Sequence, residues 1–274
     1  MQNKETYYHN LNDFYRNVEG QFSTDERNCI QACIDFVHEH TQHSLIFHNT
    51  TCERLATDIA AKLVLLQAEA QTVCAGITYP LLHWEAPSDD STLKLPAPVL
   101  TLVNNTSKLS TIDTHYLAQS SINDNQADHL RKMILAIVDD PRAVIIKLIE
   151  KITWLTAIKD DPCIDKTQAG QVAMKLYAPL ASRLGIGILK WQLEDLAFRY
   201  TEPTRYFAIS KGLNMRRQER EDFVIEMKNT ITERFTQAGI HQIDLSGRAK
   251  HIYSIHRKID RKKVTLEEIY DSTA

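Results

Sequence analysis

The stretch Leu130-Arg-Lys-Met-Ile-Leu-Ala-Ile-Val-Asp-Asp-Pro-Arg-Ala-Val-Ile-Ile-Lys-Leu-Ile-Glu-Lys-Ile-Thr-Trp-Leu155 decides the fold. Its apolar residues fall into two helical registers separated by one interruption. The first starts at His129, where Leu130, Met133, Ile134, Ile137 and Val138 recur at spacings of three and four, which place them on one helix face. It stops at Asp139-Asp140-Pro141. Asp140 can accept from the exposed N–H groups of a new helix, and Pro141 fits its first turn, where no N–H is needed. The second register puts Val144, Ile145, Leu148, Ile149, Ile152 and Leu155 on a buried face. Two amphipathic helices joined by so short a turn predict helix-on-helix packing.

Outward from there the same periodicity continues. Toward the N-terminus, Ser23 and Thr24 precede Asp25-Glu26 and then Ile30, Cys33, Ile34 and Val37, the pattern of a capped amphipathic helix. Cys52 to Ala70 predicts a second helix, with Leu55, Ile59, Leu63 and Leu66 in one stripe. Val73 to Leu82 is a further apolar segment that runs into Pro80. Glu85 to Pro98 holds three prolines among Ser and Asp and reads as an exposed loop. Toward the C-terminus, one helix ends near Arg183-Leu184-Gly185, a second covers Leu189 to Arg199, and a third runs from about Met215 to Ala238 before Gly239.

Composition agrees. Only 8 of 274 residues are glycine, under half the usual ~7 %, which disfavours glycine-rich nucleotide loops and β-barrel corners. The formal charge of −3 provides no whole-chain electrostatic case for nucleic acid or an anionic membrane. The polar stretch Met1 to Asn10 and the short charge-free runs predict neither a leader nor a spanning helix, hence no membrane partner and a cytoplasmic location. The five cysteines, Cys29, Cys33, Cys52, Cys74 and Cys163, lack a CxxC spacing and predict neither a disulfide framework nor a zinc ribbon. Cys29 and Cys33 share a helix face and are expected to be small buried residues. His38, His40, His43 and His48 invite a metal reading, but His38 and His40 lie on different faces of one helix, so solvated helix-end histidines are expected. A hard divalent cation calls for a carboxylate beside an imidazole, and the sequence contains no His-Asp dipeptide.

After Gly239 the character changes. Ile240 to Leu245 is compatible with one short strand, and seven of the sixteen residues from Arg248 to Lys263 are Lys or Arg. Lys250, Ser254 and Lys258 fall at i, i+4, i+8, the spacing of one helix face, with Arg248 and Arg257 beside them. Two ammonium groups, a hydroxyl and guanidinium forks in that pattern can grip a polyphosphate. A solvated basic helix is the plainer alternative.

Two long segments carry a family resemblance. Tyr177-Ala-Pro-Leu-Ala-Ser-Arg-Leu-Gly-Ile-Gly-Ile-Leu-Lys-Trp-Gln-Leu-Glu-Asp-Leu-Ala-Phe-Arg-Tyr200 resembles a signature of the long RelA/SpoT enzymes, which make and degrade the alarmones ppGpp and pppGpp. Gly247-Arg-Ala-Lys-His-Ile-Tyr-Ser-Ile-His-Arg-Lys258 looks like the ATP-binding start of their synthetase domain. Met133 to Pro162 looks more like the RelA branch than the bifunctional one. The resemblance implies an N-terminal helical HD-type domain that, in bifunctional relatives, is a manganese-dependent hydrolase with a His…His-Asp…Asp ligand set. The matching positions here are Thr51-Cys52 for the first histidine, Tyr79-Pro80 for the His-Asp pair and Glu150 for the distal aspartate, with Trp154 in place of a following polar residue. These residue types do not suit a hard cation, so an inactive pseudo-hydrolase without Mn²⁺ is expected.

The resemblance further implies that Arg248, Lys250, Ser254 and Lys258 hold ATP phosphates and that Asp271 ligates Mg²⁺. The family reaction moves pyrophosphate from ATP to the 3′-hydroxyl of GTP or GDP. Its remaining residues lie downstream of that aspartate, so the chain is expected neither to make nor to degrade ppGpp, and to bind no Mg²⁺ by itself. Ribosome and tRNA contacts belong to further C-terminal domains. The expected organisation is an N-terminal segment at 1–24, a degenerate HD-like domain at 25–175, a connecting helical bundle at 176–239 and the first elements of an α/β synthetase domain at 240–274. The expected role is regulation of a synthetase domain in cis or in trans. The alternatives are residual metal-dependent ppGpp hydrolysis, or an RNA-binding module built on the basic C-terminal helix.

Overall fold

The computed structural model describes residues 14–41, 45–47, 50–85, 95–117, 124–137, 140–213, 217–266 and 268. His43, His48, Asp271 and most of the loop from Glu85 to Pro98 lie outside them. Helices dominate, as expected, and the sheet among the described residues is a two-stranded antiparallel ribbon, β1 (Leu45–Phe47) with β2 (Thr50–Thr51). The chain forms two compact units, residues 1–197 and 198–274.

In the first unit, α1 (Thr24–His40) starts with the expected capping box: Ser23 accepts from the Glu26 N–H while Glu26 accepts from the Ser23 N–H. The next expected helix, Cys52 to Ala70, is two helices. The first, α2 (Cys52–Leu65), is stopped by Gln67 in the left-handed region (φ 57°), with the Ala68 N–H returning to the Leu63 carbonyl. The second, α3 (Ala70–Pro80), is buried on every side except at Gln71. It packs against α1, α2 and α4 (Ala97–Leu117). Gly76 allows that approach, since a Cβ there would lie 2.4 Å from Leu63 Cδ1 and 3.0 Å from Ile59 Cγ2. After Pro80 the chain widens into a π-type turn at Leu81–Glu85. Proline offers no N–H to the carbonyl four residues back, and the wider turn absorbs that break.

The stretch from Leu130 to Leu155 folds into α5 (Asp124–Ile137) and α6 (Pro141–Ala157), with Asp140 as N-cap and Pro141 at the first position. The burial of α6 departs from the expected single face. Ile145 is only half-buried, whereas Ile146, Lys147, Glu150, Lys151 and Thr153 join the core. The helix is central, packed against α2, α3 and α4, so even its polar positions are enclosed. A turn at Ile158–Asp160 leads to α7 (Lys166–Val172), a second π-type turn (Ala173–Tyr177) and α8 (Ala178–Arg183). Pro179 has no N–H for the Lys175 carbonyl, and the Arg131 guanidinium donates to that carbonyl instead. Gly185, at φ 74°, ends α8 before α9 (Gly187–Thr201).

The second unit holds α10 (Pro203–Gly212), α11 (Arg217–Gln237) and α12 (Ile252–Lys262). Phe198 is buried among Tyr206, Tyr253 and His256, the last stacked on it at 4.4 Å. Gly239 (φ 81°) terminates α11 as expected. Two expectations need correction. Ile240 to Leu245 is not a strand, because its backbone finds no ladder partner among the described residues, and pairing is what defines a strand. Helices α4 and α10 are additions: proline-rich starts masked the first, and the Pro203 start of the second has little apolar periodicity behind it.

Asp140 is the most exacting cap. Its carboxylate accepts from the Arg142 backbone N–H at 2.9 Å and from the Arg142 guanidinium at 2.6–3.0 Å, and Arg142 also reaches Glu69 at the start of α3. The Arg142 side chain, then its backbone N–H, hold the Asp140 carboxyl below the usual carboxylate range. A depressed folded-state pKa stabilises above the unfolded value of about 3.9 and is lost as pH falls through the lower folded value. Asp140→Ala is expected to cost about 1–2 kcal/mol in denaturant unfolding at pH 7. The gap to wild type should shrink below about pH 4.

Candidate functional site

The hydrolase-like positions lie at the start of α2, at the end of α3 and along α6. Thr51 caps α2, accepting from the Arg54 N–H at 3.3 Å, and Cys52 is fully buried behind it. Tyr79, also fully buried, lies at the end of α3 with its ring stacked on His83 at 5.3 Å, and Pro80 adds no donor atom. Trp154 lies under the Lys151 ammonium, 4.8 Å from the ring centroid, and the same ammonium lies 5.7 Å from the Tyr177 ring.

Glu150 is the one carboxylate of the set and is 1 % exposed. Its Oε2 lies 2.5 Å from Lys147 Nζ, a close charge contact without hydrogen-bond alignment, and Lys147 is equally enclosed at 3 %. Lys147 Nζ donates to Ser110 Oγ at 2.8 Å, and the Tyr79 hydroxyl meets the same Ser110 oxygen at 2.6 Å. Ser110 in turn donates to the Thr106 carbonyl at 3.4 Å. A continuous polar chain therefore links α3, α4 and α6 through Tyr79, Ser110, Lys147 and Glu150.

A manganese ion does not fit these residues. Hard cations need several anionic oxygens, and the only carboxylate among the six positions is already matched by an ammonium. The cation set against Glu150 in this core is Lys147. Its place was not evident from spacing, which assigns lysine to solvent; the available signal was a Lys and a Glu three residues apart inside Ala143-Val-Ile-Ile-Lys-Leu-Ile-Glu150. Ser110 carried no signal at all.

The solvated position expected for the helix-end histidines is found at His38, whereas His40 is half-buried. His38 is exposed and meets Glu53 at 3.1 Å, while His40 contacts the Phe36 carbonyl at 2.8 Å. Among the described residues, one group of three His, Cys, Asp or Glu side chains converges closely enough to share a cation, and it is made of cysteines.

In the second unit, Arg248, Lys250, Ser254 and Lys258 line one open groove of about 970 Å³ with Arg257 and Arg261. The four residues do come together, but not on one helix face. Lys250 precedes α12, whose N-cap is His251, so only Ser254 and Lys258 are helical. The approach strand of chain is held by Arg220, 3 % exposed, whose guanidinium donates to the Lys250 carbonyl at 2.7 Å. Ser254 Oγ lies 2.8 Å from His251 Nε2. His256 is wedged between Phe198 and Asp260, 3.4 Å away. The groove thus combines cations on two backbone segments with the N-terminus of an 11-residue helix, a setting suited to an anion.

The HD domain family matches residues 34–187, more than half of the chain. A GTP pyrophosphokinase of Photobacterium angustum is 35 % identical over 89 % of this chain and 32 % of its own length. One from Escherichia coli K12 is 37 % identical over 77 % of this chain and 29 % of its own. A Synechocystis protein named "Probable guanosine-3′,5′-bis(diphosphate) 3′-pyrophosphohydrolase" is 28 % identical over 96 % of this chain and 34 % of its own. The chain belongs to the HD domain family and, within it, to the RelA/SpoT proteins. It spans about a third of the length of these curated relatives. No helix among the described residues is long and apolar enough to cross a membrane.

Removing one partner of a buried ion pair strands the other charge, typically at about 3–5 kcal/mol, whereas replacing both with apolar groups is often neutral. Lys147→Met is therefore expected to lower unfolding stability by roughly that amount, and Lys147→Met with Glu150→Leu to recover most of it. Strictly additive losses in denaturant titrations would remove the pair from the account.

Proposed function

We propose that this chain is the N-terminal, regulatory portion of a RelA-type (p)ppGpp synthetase, with a pseudo-hydrolase domain at 25–175, a connecting helical bundle at 176–239 and the start of the synthetase domain at 240–274. The observation that carries this reading is the enclosed Lys147–Glu150 pair at 2.5 Å, an ammonium set against the one carboxylate of the hydrolase-like positions. With Thr51, Cys52, Tyr79, Pro80 and Trp154 completing that set, no residue of it is available to ligate a hard cation or activate a water. The domain acts by packing against a synthetase domain, in cis or in trans, and biasing its equilibrium between active and inactive states.

The basic groove supports the second half of the proposal. Arg248, Lys250, Ser254 and Lys258 hold ATP phosphates there, as forks, point charges and a hydroxyl donor. The Mg²⁺ role of Asp271 stays an expectation of the resemblance, as do the GTP or GDP acceptor, ribosome and tRNA contacts and the cytoplasmic location. The pyrophosphate transfer named for the relatives is proposed for the complete synthetase in which this groove takes part.

Two measurements test this. The purified chain, given labelled ppGpp and Mn²⁺, is expected to release no pyrophosphate above a Glu150→Gln control; turnover lost in that control would overturn the pseudo-hydrolase. ATP should bind in a salt-sensitive manner and weaken when Lys250 and Lys258 are both changed to alanine. Unchanged ATP affinity, or RNA binding that alone depends on those lysines, would move the groove to the RNA-binding alternative.

A further inference from the structure

Three of the five cysteines, Cys29, Cys33 and Cys74, form a cluster in the first unit that the proposed function does not use. Cys29 and Cys33 project from α1 one turn apart, and Cys74 comes from the largely enclosed α3 packed against it. All three sulfurs lie within 4.8 Å of one another, and Cys29 and Cys74 are 3.7 Å apart. A thiophilic cation with metal–sulfur bonds of about 2.3 Å sets its sulfurs about 3.8 Å apart, so the cluster needs only small side-chain rotations to close on one. Cys33 and Cys74 are buried, and Cys29 is half-buried at the solvent edge, which supplies a route in from water.

We propose that Cys29, Cys33 and Cys74 form a three-sulfur site for one soft, thiophilic cation of the Zn²⁺ or Cu⁺ class. Sulfur ligands select such ions over Mg²⁺ or Mn²⁺, and with Cys29 only half-buried a water can serve as fourth ligand when the ion prefers four. The chemistry favours metal capture over a disulfide switch. The contact with Cys33, then burial, push the Cys74 thiol far above the ordinary range, and burial raises Cys29 as well. Disulfide exchange requires a thiolate as nucleophile, which these thiols supply poorly. A bound cation displaces the protons itself: three S–H bonds give way to three metal–sulfur bonds and three protons go to solvent, so affinity rises with pH.

The test is titration of the fully reduced 274-residue chain with Cd²⁺ alone, followed by the ultraviolet sulfur-to-metal charge-transfer band, with Zn²⁺ as competitor. The band is expected to saturate at one cation per chain, to be displaced by Zn²⁺, to weaken from pH 8 to pH 6, and to be accompanied by a raised melting temperature. Cys29→Ser, at a half-exposed position that tolerates a hydroxyl, should abolish saturation while keeping the wild-type circular dichroism, and Cys74→Ser should do the same if it folds. Cys163→Ser, at an exposed thiol, should change nothing. Absence of a saturable band in the wild type, or a band that survives Cys29→Ser and disappears in Cys163→Ser, would overturn the site.

Discussion

A lysine and a glutamate enclosed together in the middle of a helix bundle set the terms for the first unit. Away from water, neither Lys147 nor Glu150 can lose its partner cheaply, since an isolated ion in that setting keeps its desolvation cost without the compensating attraction. The pair therefore fixes the rotation of α6, and through Ser110 and Tyr79 it fixes α4 and α3 against it. Once those three helices are registered, apolar packing around Leu55, Ile59, Leu63, Ile77 and Leu148 completes the core. The same interaction supports the proposed pseudo-hydrolase reading, since an ammonium set against the only carboxylate of the hydrolase-like set supplies positive charge that a divalent cation would otherwise bring.

Much of the fold was legible because it follows from local rules. The capping box at Ser23 and Glu26, the Asp140-Pro141 start of α6 and the Gly185 and Gly239 terminators are each specified within four residues of sequence, and all are found as expected. Features set by partners distant in sequence were not. Periodicity assigns lysine to solvent and so does not predict the burial of Lys147, which follows from the packing of α6 against α2, α3 and α4. Ile240 to Leu245 has strand-like composition but no edge to pair with among the described residues. The helix from Cys52 was read too long, because nothing in Leu66 to Glu69 announces that Gln67 turns left-handed.

The sites divide along the same line. The i, i+4, i+8 spacing of Lys250, Ser254 and Lys258 predicts one helix face, whereas Lys250 lies in the segment before α12, held there by Arg220, and meets Ser254 and Lys258 in one groove from that segment. Two of the three thiols, Cys29 and Cys33, are visible in the sequence on one helix face, and the third, Cys74, depends on the packing of α1 against α3. The near-neutral total charge hides this segregation, with cations gathered in the groove of the second unit and a charge-matched, enclosed pair in the first.

In the proposed reading the Lys147 ammonium takes the place of a metal ion in this HD-type core, and Mn²⁺ binding followed by electron paramagnetic resonance on the reduced chain tests it. The free-ion signal is expected to fall only in proportion to weak surface association and to respond identically in wild type and Glu150→Gln. A saturable site taking up one Mn²⁺ per chain, and lost in Glu150→Gln, would contradict it.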